Sequence, residues 1–164
     1  GSYWRTDKRR GVDLGEPSRI AYLFHATLGY YGIFSITPLW FLVPVGMVAG
    51  CRHGPGYMRR LSAAIALASV VCLLFYVARP EIDRNYGGVS VCFRWMLWFA
   101  PLWLYSLVPE LSSLSEKIQG RYFTLVLLAA SAFSVSTSLS SPWQSPWIYR
   151  FASFLGWLGD EMTR

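Results

Sequence analysis

The 164 residues are 54% hydrophobic and 17% aromatic, with 15% charged against about 25% in ordinary soluble domains. Fifteen lysines and arginines outnumber nine acids, for a net charge of +6. They are scattered among apolar spans rather than gathered on one polar face, which argues against a nucleic-acid partner. Cys51, Cys72 and Cys92 form no CxxC pair and no zinc spacing, so no disulfide, structural metal or cofactor is expected.

Charge is absent over long stretches: eighteen residues between Arg60 and Arg79, twenty-six between His25 and Arg52, twenty-eight between Arg121 and Arg150. A helix needs roughly 20 apolar residues to cross the hydrocarbon layer. The expected fold is an all-α integral membrane protein with about four transmembrane helices and an amphipathic interfacial helix at each end. The bilayer is the first partner implied, and membrane helices of the same or another chain the second.

In chain order, residues 1–16 read as an extramembrane tail of an upstream region, and residues 17–164 as a polytopic membrane domain of a longer protein. Within 17–28, Ile20, Leu23, Phe24 and Leu28 recur at helical spacing after Pro17, as in a helix lying on the membrane surface or extending the next crossing. The first crossing is 33–50, where Pro38 and Pro44 predict a kink rather than a break. A turn at "CRHGPGYMRR" leads to the second crossing, 61–78, whose small residues Ser62, Ala63, Ala64, Ala66 and Ala68 permit close helix approach.

The third crossing, 94–109, is weak: fifteen uncharged residues separate Arg94 from Glu110, and Pro101 interrupts them. Arg94 must then snorkel to the interface, or neighbours must support the span. After the polar turn "SSLSEKIQGR" comes the fourth crossing, 122–139, ended by Pro142. "SPWQSPW" repeats Ser-Pro-Trp, a pattern suited to an aromatic interfacial belt. Segment 146–159 closes with an amphipathic stripe, Phe151, Phe154, Leu155 and Leu158, either a surface helix or the start of a further one. The loop at 51–60 carries Arg52, Arg59 and Arg60 without an acid, which places it in the cytoplasm and loop 79–93 outside.

"RPEIDRNYGGVSVCFRW" sets two acids, arginines and a Gly-Gly pair against an aromatic run. Arg84, Asn85, Gly87, Gly88 and Arg94 form a candidate phosphate-facing rim: guanidinium forks match phosphate oxygens, and glycines let main-chain N–H groups close around an anion. Glu81 and Asp83 suit a base or a cation. The plainer alternative is a solvated turn in which Arg94 snorkels and Arg84 pairs with Glu81 or Asp83. His25 and His53 build no triad, and the catalytic residues are unknown. The serines of the fourth crossing, Ser131 and Ser134 among them, suit helix-to-helix hydrogen bonds more than a polar path.

"LGYYGIFSITPLWFLVPVGM" followed by "NYGGVSVCFRWMLWFAPLWL" resembles the late transmembrane region of bacterial proteins similar to the dolichyl-phosphate-mannose-protein mannosyltransferases of the C-type glycosyltransferase superfamily. The matching positions are Gly32, Phe34, Ser35, Thr37 and Pro38, then Gly87, Gly88, Arg94, Pro101 and Leu102, within residues 29–110. Cys92-Phe93 stands where Gly-Pro commonly precedes the arginine. The resemblance implies transfer of sugar from a polyprenyl-phosphate donor at the outer face of a bacterial inner membrane. Arg84 and Arg94 would face phosphate, and the catalytic acid would lie in an early loop outside this chain. The alternative is a non-catalytic membrane subunit or scaffold within a larger complex. A transporter ranks behind both, since no ionisable residue sits inside a crossing.

Overall fold

The computed structural model describes residues 15–87, 92–140, 152 and 154–157. Tail 1–14, Gly88, the Ser-Pro-Trp repeat and most of segment 146–159 therefore lie outside the described residues. Among the described residues the α-helices follow in order: α1 Arg19–Thr27, α2 Ile33–Ile36, α3 Leu42–His53, α4 Gly56–Ala78, α5 Ala100–Ser115 and α6 Ile118–Ser140. Short 3-10 helices occupy Pro38–Phe41, Glu81–Asp83 and Arg94–Phe99. No strand occurs among the described residues.

Helix α1 begins where its cap allows. Ser18 is extended and its hydroxyl accepts the Ala21 N–H at 3.2 Å, satisfying one donor that the first turn leaves free. The span expected as one kinked helix over 33–50 is instead broken. At Thr37 the backbone leaves helical geometry (φ −131°, ψ 83°), and Pro38 opens a 3-10 helix that runs into α3. Proline supplies no N–H and disfavours helical geometry at the residue before it. The broken turn is repaired from α6: the Leu39 N–H donates to Ser131 Oγ at 3.0 Å. Ser131 is thus a helix-to-helix hydrogen-bonding residue, as expected.

The third segment also shifts. Residues 94–99 form the 3-10 helix, and Pro101 sits in the opening turn of α5 rather than interrupting it, where a missing N–H costs nothing. Pro109 is the proline inside this helix.

α3 is the hub, packing most extensively on α4 and α5. Its glycines make this possible. A Cβ on Gly46 would overlap the Ser106 carbonyl of α5, and one on Gly50 would overlap the Ser62 hydroxyl of α4. Gly46 and Gly50 form the small-xxx-small spacing by which membrane helices approach closely. Trp103 ties α5 to α4 by donating its indole N–H to Ser69 Oγ at 3.0 Å. The Gly50–Ser62 approach lies beside the two-residue link between α3 and α4, so these helices fold back on each other. α5 and α6 are joined as tightly. Both short turns therefore share one end of the bundle, and residues 79–87 and 92–95 lie at the other, where Tyr76 near the end of α4 stacks on Trp95.

Two helices among the described residues are long and apolar enough to cross a membrane: α4, with mean hydropathy 2.4, and Ile118–Ser136 of α6, with mean hydropathy 1.3. Only 11% of either span is buried. At about 1.5 Å per residue, α3 and α5 fall short of a 30 Å hydrocarbon layer, and each is preceded by a 3-10 helix that lengthens it.

Candidate functional site

Loop 79–93 starts from Pro80, turns through the 3-10 helix Glu81–Asp83, and doubles back against the N-terminal segment. Local chemistry shapes the turn. The Asn85 side chain accepts the Gly87 N–H at 3.1 Å, an Asx turn. Gly87 sits at φ +94°, and a Cβ there would lie 3.1 Å from Arg94 Cβ and 3.3 Å from the Trp95 ring. Only glycine meets both the angle and the space.

Long-range bonds then fasten the loop to residues 16–31. The Glu16 N–H donates to the Arg84 carbonyl at 3.0 Å, and the Phe93 N–H to the Tyr31 carbonyl at 2.8 Å. The Tyr22 hydroxyl donates to the Asn85 carbonyl at 2.8 Å. Between these bonds lies an aromatic stack. Tyr86 is sandwiched by Tyr31, at 4.2 Å between centroids, and Tyr22, at 4.9 Å, while Phe93 meets Tyr22 edge-on. Such ring pairs contribute about 0.5–1.5 kcal/mol each beyond their burial. Burial pushes the Tyr22 and Tyr86 phenols well above their ordinary range, with the Glu16 charge adding at Tyr86, and raises that of Tyr31. His25 meets the edge of this cluster and accepts the Tyr30 N–H at Nδ1, 3.3 Å away.

The two arginines of the expected rim have different surroundings. Arg84 is 6% exposed and donates from Nη1 to the Pro17 carbonyl at 2.8 Å, while its Nε is buried without a partner. Arg94 is exposed, at the rim of an open hollow lined by Trp95, Leu97 and Trp98, and Arg84 does not line it. Asn85 and Gly87 lie between them as turn formers, and Gly88 is outside the described residues. Of the neighbouring acids, Asp83 pairs with Arg79 at 3.5 Å. No cluster of three His, Cys, Asp or Glu able to hold a metal occurs among the described residues.

Cys92 adopts φ +108°, a left-handed angle rare outside glycine, and is buried. Burial pushes its thiol up to about 12. The sequence reading missed this residue, the aromatic clasp and the Gly46–Gly50 pair. Spacing alone signals the glycines; nothing local signals a stack built from Tyr22, Tyr31 and Tyr86.

A second concavity, of about 340 Å³, lies between α3, α4 and α5. Apart from Thr27 and Ser69 its lining residues are apolar, Trp40, Val43, Met47, Ala66, Val70 and Met96 among them.

No protein-family profile and no solved structure matches the chain. Over 93 residues, 55% of its length, it is 31% identical to ATP-binding cassette sub-family B member 6 of Xenopus tropicalis, and the match spans 11% of that protein.

Proposed function

We propose that the chain is a non-catalytic integral membrane domain that packs against further membrane helices of a larger assembly of the ATP-binding cassette kind. It crosses four times, through 33–53, α4, 94–115 and α6, with loop 79–93 outside. The observation that carries this reading is the uncovered apolar surface of α4 and α6. Val70, Val71, Leu74 and Phe75 on the one, and Phe123, Leu125, Val126 and Phe133 on the other, are all exposed. Apolar patches that large mark a lipid or partner surface. The similarity to a stretch of an ATP-binding cassette protein supports the kind of assembly. The staple made by Arg84 and Asn85 supports a structural use of the charged loop.

Photo-crosslinking from Val71, Leu74, Leu125 and Phe133 in the full-length protein in its native membrane tests this. Adducts to other protein helices are the expected result. Adducts to lipid alone at all four positions would overturn it.

A second reading, a transferase using a polyprenyl-phosphate sugar, is favoured by one observation: Arg94 faces outward beside two tryptophans. Its test is sugar transfer from a polyprenyl-phosphate donor by the reconstituted full-length protein, lost in Arg94→Gln.

A further inference from the structure

The 3-10 helix Arg94–Phe99 has two faces. Met96 points inward and is buried, while Arg94, Trp95, Leu97 and Trp98 point outward around a hollow of about 490 Å³. Trp98 is 81% exposed, which for an indole in water would be a waste of apolar surface. The depth of this shelf follows from its neighbour. Tyr76, two residues from the end of α4, stacks on Trp95 at 5.6 Å with the rings 10° apart. The 23 residues of α4 span about 34 Å at 1.5 Å per residue, slightly more than the hydrocarbon layer. If α4 crosses, its last turn lies among the headgroups, and the stacked shelf lies there with it. Indole rings favour that depth.

Arginines at this end of the bundle differ in what they already hold. Arg79 pairs with Asp83 and lies over the Phe75 ring at 5.7 Å, and Arg84 is turned inward to Pro17. Arg94 has no ion pair among the described residues, and its backbone is held by the Tyr86 carbonyl at 3.3 Å and by Gly87 packed under Trp95. The fork is thus fixed at its root and open at its tip. Guanidinium in that situation is suited to a bidentate phosphate oxygen pair.

We propose that Arg94, Trp95 and Trp98 form a binding shelf for the phosphate of an anionic phospholipid in the outer-end leaflet. The guanidinium takes the phosphodiester, and Leu97 with the two indoles takes the adjoining glycerol and upper acyl carbons. This apolar floor favours a lipid-borne phosphate over a free one. The proposal rests on the membrane reading above.

The test uses the full-length protein in nanodiscs of phosphatidylcholine mixed with phosphatidylglycerol, with spin-labelled versions of each lipid reporting which one is retained against the protein. Retained phosphatidylglycerol should exceed phosphatidylcholine on the order of fivefold, the preference one interfacial cation supplies. Arg94→Gln should abolish that preference, Arg94→Lys should keep part of it, and Arg79→Gln should leave it intact. Equal preference in the native and Arg94→Gln proteins would overturn the shelf. So would equal losses in Arg94→Gln and Arg79→Gln, which would reveal only general charge. Displacement by millimolar inorganic phosphate would overturn the lipid assignment in favour of a free anion. Preferential displacement by polyprenyl phosphate would overturn it in favour of the transferase reading. Failure of the protein to enter the discs at all would instead sink the membrane reading, which separates the two failures.

Discussion

The two ends of this bundle are closed in opposite ways. At the end carrying the α3–α4 and α5–α6 turns, arginines bond to carbonyls close to them in the chain: Arg59 Nε to Gly54 at 2.8 Å and Arg60 Nε to Gly56 at 3.3 Å. These contacts are exposed and reach no further than the next turn of helix. At the other end, residues 16–31 and 84–94 are joined by hydrogen bonds more than sixty positions apart, around stacked tyrosines. The first end needs only short-range chemistry and positive charge. The second holds a segment that would otherwise have little to fold against, and its aromatic residues are buried to do so. Charge marks one end, and packing makes the other.

The largest effect should come from cutting the aromatic clasp. Tyr86→Ala removes the ring between Tyr22 and Tyr31 and should cost about 3–5 kcal/mol, the usual range for a buried aromatic. Thermal unfolding and limited proteolysis would show it, with cleavage appearing first within residues 15–31. An unchanged midpoint and cleavage pattern would mean that the two segments are held together by something else.

Cys92 sharpens the same contrast through its chemistry. With a thiol pushed up to about 12 against an ordinary 8.5, its reactive thiolate fraction at pH 8 is depressed on the order of a thousandfold. Maleimide should modify Cys51 and leave Cys92 nearly untouched until the protein unfolds. The linkage has a definite sign. The raised thiol contributes stability that is present below about pH 8.5 and lost as pH climbs toward 12. A Cys92 labelling rate equal to that of Cys51 at pH 8 would contradict its burial.

Between the ends, Gly46→Val forces a side chain into the Ser106 carbonyl and should cost about 1–3 kcal/mol by overpacking. Gly56→Ala, where added atoms meet open space, is the matched control and should be nearly silent in the same melt. Smallest of all is the loss of local charge. Arg59→Gln and Arg60→Gln should each stay within about 0.5 kcal/mol, as exposed substitutions do. A loss comparable to Tyr86→Ala would erase the distinction between the ends.

From residue order alone, the helical character, the apolar spans that became α4 and α6, and the helical stripe that became α1 could be read, because each depends on neighbours within a few turns; the start of α1 at Ser18, one residue past the expected Pro17, could not. Prolines were legible as disturbances but not in their outcome. Whether Pro38 kinks or breaks a helix depends on whether an acceptor stands opposite the freed N–H, and the accepting Ser131 is 92 positions from Leu39. The residues of the charged loop were legible as unusual, yet their surroundings were not. Arg84 turns inward to Pro17 while Arg94 turns outward beside Trp98, in a loop held by the positive φ of Gly87 and of Cys92 and by tyrosines contributed by α1 and the turn after it. Periodicity records which face of a helix is apolar; it carries no record of which distant ring will lie against it, and that was decided by packing.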